Sequence, residues 1–113
     1  MCIRDSTWSY HDSHLSANPG LGTFHASDLL EIFAGLPETS PKDTYQTYYT
    51  SFVYYLDPNA IGTEKGTLIH WPRYSVPEPQ SLRIKARGNA LVSDTFRQES
   101  YEFLSKHFGQ LKV

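Results

Sequence analysis

The stretch Gly22-Thr23-Phe24-His25-Ala26-Ser27-Asp28-Leu29-Leu30-Glu31-Ile32-Phe33 gathers the residues best able to do chemistry at short spacing. An imidazole ordinarily titrates near neutrality, so His25 could take a proton from a hydroxyl nucleophile and return it to a leaving group. Asp28 and Glu31 are the acids close by. Taken from the residues alone, a single loop histidine is more often solvated or hydrogen-bonded than catalytic. His11, His14 and His25 fit no zinc-finger or metalloprotease spacing, so no metal site is expected. His70 and His107 are expected at the surface.

The elements that must position His25 follow from pattern. Thr7-Trp8-Ser9-Tyr10-His11 alternates aromatic and polar residues, as a strand with one packed face would. Asn18-Pro19-Gly20-Leu21-Gly22 is turn chemistry, which predicts a long surface loop delivering His25. Ser27 or Asp28 is then expected to cap a short helix through Leu29, Leu30, Ile32 and Phe33, closed by Gly35 and Pro37. Ser40-Pro41-x-Asp43 supplies an N-cap, a proline at the first helical position and an acid two residues further. Tyr45, Tyr48, Tyr49, Phe52, Val53 and Leu56 recur at helical spacing until Asp57-Pro58-Asn59 ends the helix. That aromatic stripe predicts packing, since only Lys42 lies near to make it a platform for stacked bases.

Turns around Gly62 and Gly66 precede Trp71-Pro72-Arg73-Tyr74, and Pro77-Glu78-Pro79 follows, so Trp71 is expected to anchor a loop. Leu82, Ile84 and Ala86 alternate with Arg83, Lys85 and Arg87, which predicts a late edge strand with its basic face in water. In the tail from Phe96 to Phe108, Tyr101, Leu104 and Phe108 would share one side of a helix.

Composition bounds the partners. The formal charge is −2 and no run of Lys or Arg occurs, which argues against nucleic acid or an anionic membrane surface. No apolar run approaches the roughly 18 residues needed to cross a bilayer. The single cysteine, Cys2, permits no internal disulfide and says nothing about redox compartment. The apolar fraction is 39 %, below the roughly 45–50 % usual for globular chains, and eight tyrosines and six phenylalanines carry much of it. Such a chain suits a piece that packs on a larger body, with apolar surface left exposed.

Three blocks, in order, carry a family resemblance: Gly22-x-x-His25-x-x-Asp28, Phe52 through Asp57-Pro58-Asn59, and Trp71-Pro72-x-Tyr74. Together they cover most of Thr7 to Phe108. The chain resembles the C-terminal part of type B carboxylesterases and lipases, cholinesterase-like α/β-hydrolases, with wording closest to fungal or yeast triacylglycerol lipases. The resemblance implies an α/β fold: the late part of an α/β-hydrolase, with one or two strands, three helices and an incomplete sheet. It also implies that the tail from Phe96 to Phe108 is the closing helix. It differs from the family at Ala26, where glycine or serine is more usual, and at an insertion spanning Gly62 to Gly66. Residues 1–6, Met1-Cys2-Ile3-Arg4-Asp5-Ser6, resemble the translation of a sequencing adapter, so residues 7–113 are taken as the family-like part.

By that resemblance His25 is the triad histidine, general base and then general acid of a serine ester hydrolase that works through an acyl-enzyme. Asp28 is implied as a support behind the histidine loop rather than the triad acid, with Ser27 beside it. No Gly-x-Ser-x-Gly elbow and no adjacent glycines occur here, and the triad order of serine, acid, histidine places the missing members upstream. The chain is therefore expected to be inert alone and to need the missing N-terminal part of its own domain. Its substrate in the whole protein would be a carboxylic ester or acylglycerol, with no cofactor, and secretion is expected from the resemblance. The alternatives are a cholinesterase-like adhesion domain that has lost catalysis, marked by a glycine in place of the upstream serine, and a free-standing small domain.

Overall fold

A computed structural model of the chain describes residues 6–34, 40–62 and 68–110. The adapter-like Met1 to Asp5, the helix stop at Gly35 and Pro37, and most of the Gly62 to Gly66 insertion lie outside the described residues. Strand β1 (Tyr10–Asp12) is followed by α1 (Ser27–Leu29), which runs on into a π-helical turn at Leu30–Ala34, and by the long helix α2 (Ser40–Tyr55). Strands β2 (Gln80–Ile84) and β3 (Ala90–Ser93) come next, and α3 (Gln98–His107) leads into a 3-10 turn at Phe108–Gln110.

The three strands form one mixed sheet in the order β1-β2-β3. β1 pairs parallel with β2, setting Tyr10 opposite Leu82 and Asp12 opposite Ile84, while β2 pairs antiparallel with β3. This corrects two expectations. Among the described residues there are three strands rather than one or two, and β2 is the central strand of their sheet rather than an edge. The alternation at Leu82 and Ile84 was real, and both side chains are buried. Arg83, however, is only half in water, its Nε donating to Ser13 Oγ at 3.0 Å, and Ala86 and Arg87 belong to the turn before β3. Gly88 in that turn has φ +68°, the left-handed region that glycine enters without a steric penalty.

The core is Tyr45, Tyr48, Trp71, Leu82 and Ile84, with Trp8, Tyr10, Ile32 and Leu68 packed around it. Edge-to-face rings join its layers: Tyr10 meets Tyr45 and Trp71, each at 6.0 Å between centroids, and Tyr48 meets Trp71 at 5.2 Å. Such geometry sets the positive edge of one ring against the negative face of another. Helix α2 thus seats only part of its stripe. Tyr45 and Tyr48 are fully buried, whereas Tyr49, Phe52, Val53 and Leu56 stay exposed.

Two of the three sequence blocks prove to be halves of one hydrogen-bonded knot. Helix α2 ends as Leu56 turns into the left-handed region at φ 57°. Ser51 Oγ then donates to the Asp57 carbonyl at 2.6 Å, and Asp57 Oδ1 accepts from the Asn59 backbone at 2.9 Å. Asn59 grips Trp71, whose indole Nε1 in turn donates to the Ser9 carbonyl at 2.9 Å, beside β1. Trp71 is buried as expected, and it ties the end of α2 to the strand that precedes the histidine loop.

Candidate functional site

His25 sits on the long loop that leaves the end of β1 and returns into α1, in a turn closed by the Ser27 backbone donating to the Phe24 carbonyl at 3.1 Å. The loop is shaped by Asn18, whose carbonyl accepts from the Gly22 backbone, and by positive φ at Gly20 and Gly22. The imidazole is exposed and bonds to no described side chain.

The short helix begins differently from expectation. Its N-cap is Ala26, in the left-handed region at φ 65° and ψ 14°, with no side-chain cap. Neither Ser27 nor Asp28 is its N-cap; both face β1, although Asp28 Oδ1 also accepts from the Leu29 backbone at 3.0 Å. Ser27 Oγ, buried, donates to Asp12 Oδ2 at 3.2 Å. Tyr10 donates its hydroxyl to Asp28 Oδ2 at 2.8 Å, and the Tyr49 hydroxyl lies 3.2 Å from it. Burial, reinforced by Tyr49 and Asp28, pushes the Tyr10 phenol far above its ordinary value, so it stays a neutral donor. The left-handed backbone at Ala26 also gives a physical reason why glycine suits this position.

Beneath the loop lies a buried cluster that sequence reasoning missed. His14 Nδ1 is 2.8 Å from Asp12 Oδ1, and His14 Nε2 is 3.4 Å from Glu31 Oε1. Glu31 is 0 % exposed, and neither of its oxygens has a hydrogen bond among the described residues. Burial pushes its carboxyl above the usual carboxylate range; His14 offsets part of this, Asp12 adds to it, and Lys42 offsets a little more. Tyr45, beside Asp12, is likewise pushed up, mainly by burial. The one available signal was Asp12-x-His14 directly after a strand, which is too short to stand out.

An open groove of about 310 Å³ lies elsewhere, between Trp8, Tyr10, Tyr48, Tyr49, Phe52 and Trp71. Its walls are aromatic and His25 is not among them. Among the described residues no group of three His, Cys, Asp or Glu could hold a metal ion, and no helix is long and apolar enough to cross a membrane. His70 is exposed; His107 is half-buried, its ring 4.4 Å from that of Phe103.

The chain is 40 % identical over 107 residues to a secreted triacylglycerol lipase of Gibberella zeae, a match covering 95 % of this chain and 18 % of that one. Its homologues are fungal and yeast lipases. A secreted lipase of Botryotinia fuckeliana is 40 % identical over 98 residues, covering 87 % of this chain, and a lipase of Geotrichum candidum is 38 % identical over 93 residues, covering 81 %. The chain spans only 16–18 % of the length of these lipases. No family model matches it. The small mixed sheet with three helices is compatible with part of an α/β-hydrolase lipase.

Proposed function

We propose that this chain is the C-terminal piece of a secreted serine ester hydrolase acting on carboxylic esters or acylglycerols, and that it supplies His25 as the triad base. The observation that carries this is the presentation of His25: exposed, on a loop braced from below, in a chain whose homologues are lipases. A serine and an acid from the rest of the domain would meet it there. Nε2 would take the proton from the serine hydroxyl as it attacks the ester carbonyl, and would return it to the departing alcohol. Nδ1 would donate to the acid, which fixes the tautomer and stabilises the imidazolium. Asp28 and Ser27 support the loop from behind.

The exposed apolar surface supports the same reading. Val53, Tyr54, Tyr55 and Leu56 at the end of α2 face solvent, and α3 buries none of its side chains. An aromatic-rich surface of this kind suits a seat for further protein. The test is a graft, in which this chain replaces the segment that it matches in the Gibberella zeae lipase. Hydrolysis of an activated ester by the graft, lost in His25→Ala, supports the proposal. Activity that survives His25→Ala overturns it.

A further inference from the structure

We propose that Asp12 and His14, with Glu31, act as a positioning clamp for His25, closing its loop at both ends; this rests on the reading of His25 as the triad base. A loop as long as residues 13–26, without regular structure, has many conformations, and a base must be held to a fraction of an ångström to work. The outgoing end is fixed first. Ser13 donates its backbone N–H and its hydroxyl to the Ile84 carbonyl, at 2.9 and 3.1 Å, which fastens it to the central strand. The Asp12 carboxylate then holds both ends at once. Oδ1 accepts from the His14 backbone at 3.0 Å and faces its ring Nδ1, while Oδ2 accepts from Ser27, two residues beyond His25.

His14 extends the clamp. A carboxylate can only accept, so the nitrogen facing Asp12 carries a proton, and the other ring nitrogen points at Glu31, four residues past Ser27 in the same helical run. Strand, loop start and loop return are thereby linked through one carboxylate and one imidazole. Between Ser27 and His25 stands only Ala26, in a narrow left-handed well, so a shift of Ser27 is passed on to His25. A purely stabilising role accounts poorly for this arrangement, because burying Glu31 with no hydrogen bond among the described residues is costly to the fold. What the cluster supplies is geometry.

The test uses the same lipase graft, with Asp12→Ala, Asp12→Asn and His14→Gln beside Ser81→Ala, which removes a buried hydroxyl paired with Ser9 away from the loop. Two quantities are read: kcat and KM on an activated ester, and hydrogen exchange across residues 13–26 by mass spectrometry. The clamp predicts that Asp12→Ala and His14→Gln lower kcat by about tenfold to a hundredfold with KM little changed, and that exchange in the loop speeds up. Asp12→Asn keeps one acceptor and recovers part of kcat, and it serves if Asp12→Ala does not fold. Ser81→Ala leaves both readouts as they were. Unchanged kcat in Asp12→Asn and His14→Gln, while His25→Ala is dead, overturns the clamp even if loop exchange rises. If His25→Ala keeps activity, or the graft is inactive with His25 intact, the triad reading falls. Loop exchange then decides the clamp, and unchanged exchange overturns it too.

Discussion

Asn59 holds Trp71 by two opposed hydrogen bonds: its Oδ1 accepts from the Trp71 backbone N–H at 2.7 Å, and its Nδ2 donates to the Trp71 carbonyl at 2.9 Å. A side-chain amide here does what a neighbouring strand would do, satisfying both backbone groups of a buried residue. Asn59→Ala leaves them unpaired, and each should cost about 1–3 kcal/mol. Urea denaturation of the graft would show this as a lowered midpoint. A midpoint equal to that of the unaltered graft would mean that water replaces the amide at no cost.

At Ala26, φ 65° puts an alanine where glycine has no steric penalty. Ala26→Gly relieves that strain but adds freedom to the unfolded chain, so the expected net gain is about 0.5–1 kcal/mol. Thermal melting of the graft would read it as a rise, with catalysis retained. A fall in melting temperature would place some other demand on the methyl group.

Glu31 gives a pH dependence with a definite sign. Its folded-state pKa lies above the unfolded one, chiefly through burial, so between the two values the folded state binds more protons and stability falls as pH rises. The contribution is most favourable below the ordinary carboxylate value and is lost as pH rises through the raised one. Glu31→Gln keeps the size of the side chain and removes the titrating carboxyl. Its melting temperature should exceed the parent's by more at pH 8 than at pH 4, and a constant difference across that span would contradict the assignment.

The chain by itself is expected to hydrolyse an activated ester no faster than its own His25→Ala variant, since the serine elbow is absent from the sequence. Turnover of the isolated chain that disappears with His25 would point to a nucleophile within these residues.

Val53, Tyr54 and Leu56 lie open at 72, 76 and 69 % exposure, and Tyr101 and Phe108 at 72 and 71 %. Free in solution, the chain should bind a hydrophobic dye and self-associate with rising concentration, and Val53→Lys with Tyr101→Lys should weaken both. A monomer at all concentrations by sedimentation would count against this.

The parts of the fold legible in the sequence are those built from near neighbours. Helix α2 shows in its helical spacing and in the proline that ends it, and the buried Trp71 shows in the turn chemistry around it. Strand β2 was legible as a strand but not as the centre of the sheet, because its alternation records one packed face and not the two strands beside it. β3, only Ala90–Ser93, is too short for alternation to stand out. At the site, the loop that carries His25 could be anticipated. The orientation of Ser27 and Asp28 could not, because a backbone turn at Ala26, rather than either side chain, starts the helix. The Asp12, His14 and Glu31 cluster was hidden for a similar reason: its members come together only when the loop closes.

The parallel pairing of β1 with β2 also sets a timetable. Residues 10–12 leave the ribosome well before residues 80–84, yet Ser13 has no anchor until Ile84 exists. Helix α2 and the β2–β3 hairpin draw on contacts close in sequence and can form early, while β1 must wait for a pairing across most of the chain. The loop bearing His25 is therefore among the last parts to be fixed to the sheet, and a nascent chain stopped short of β2 would lack the hold of Ile84 on Ser13.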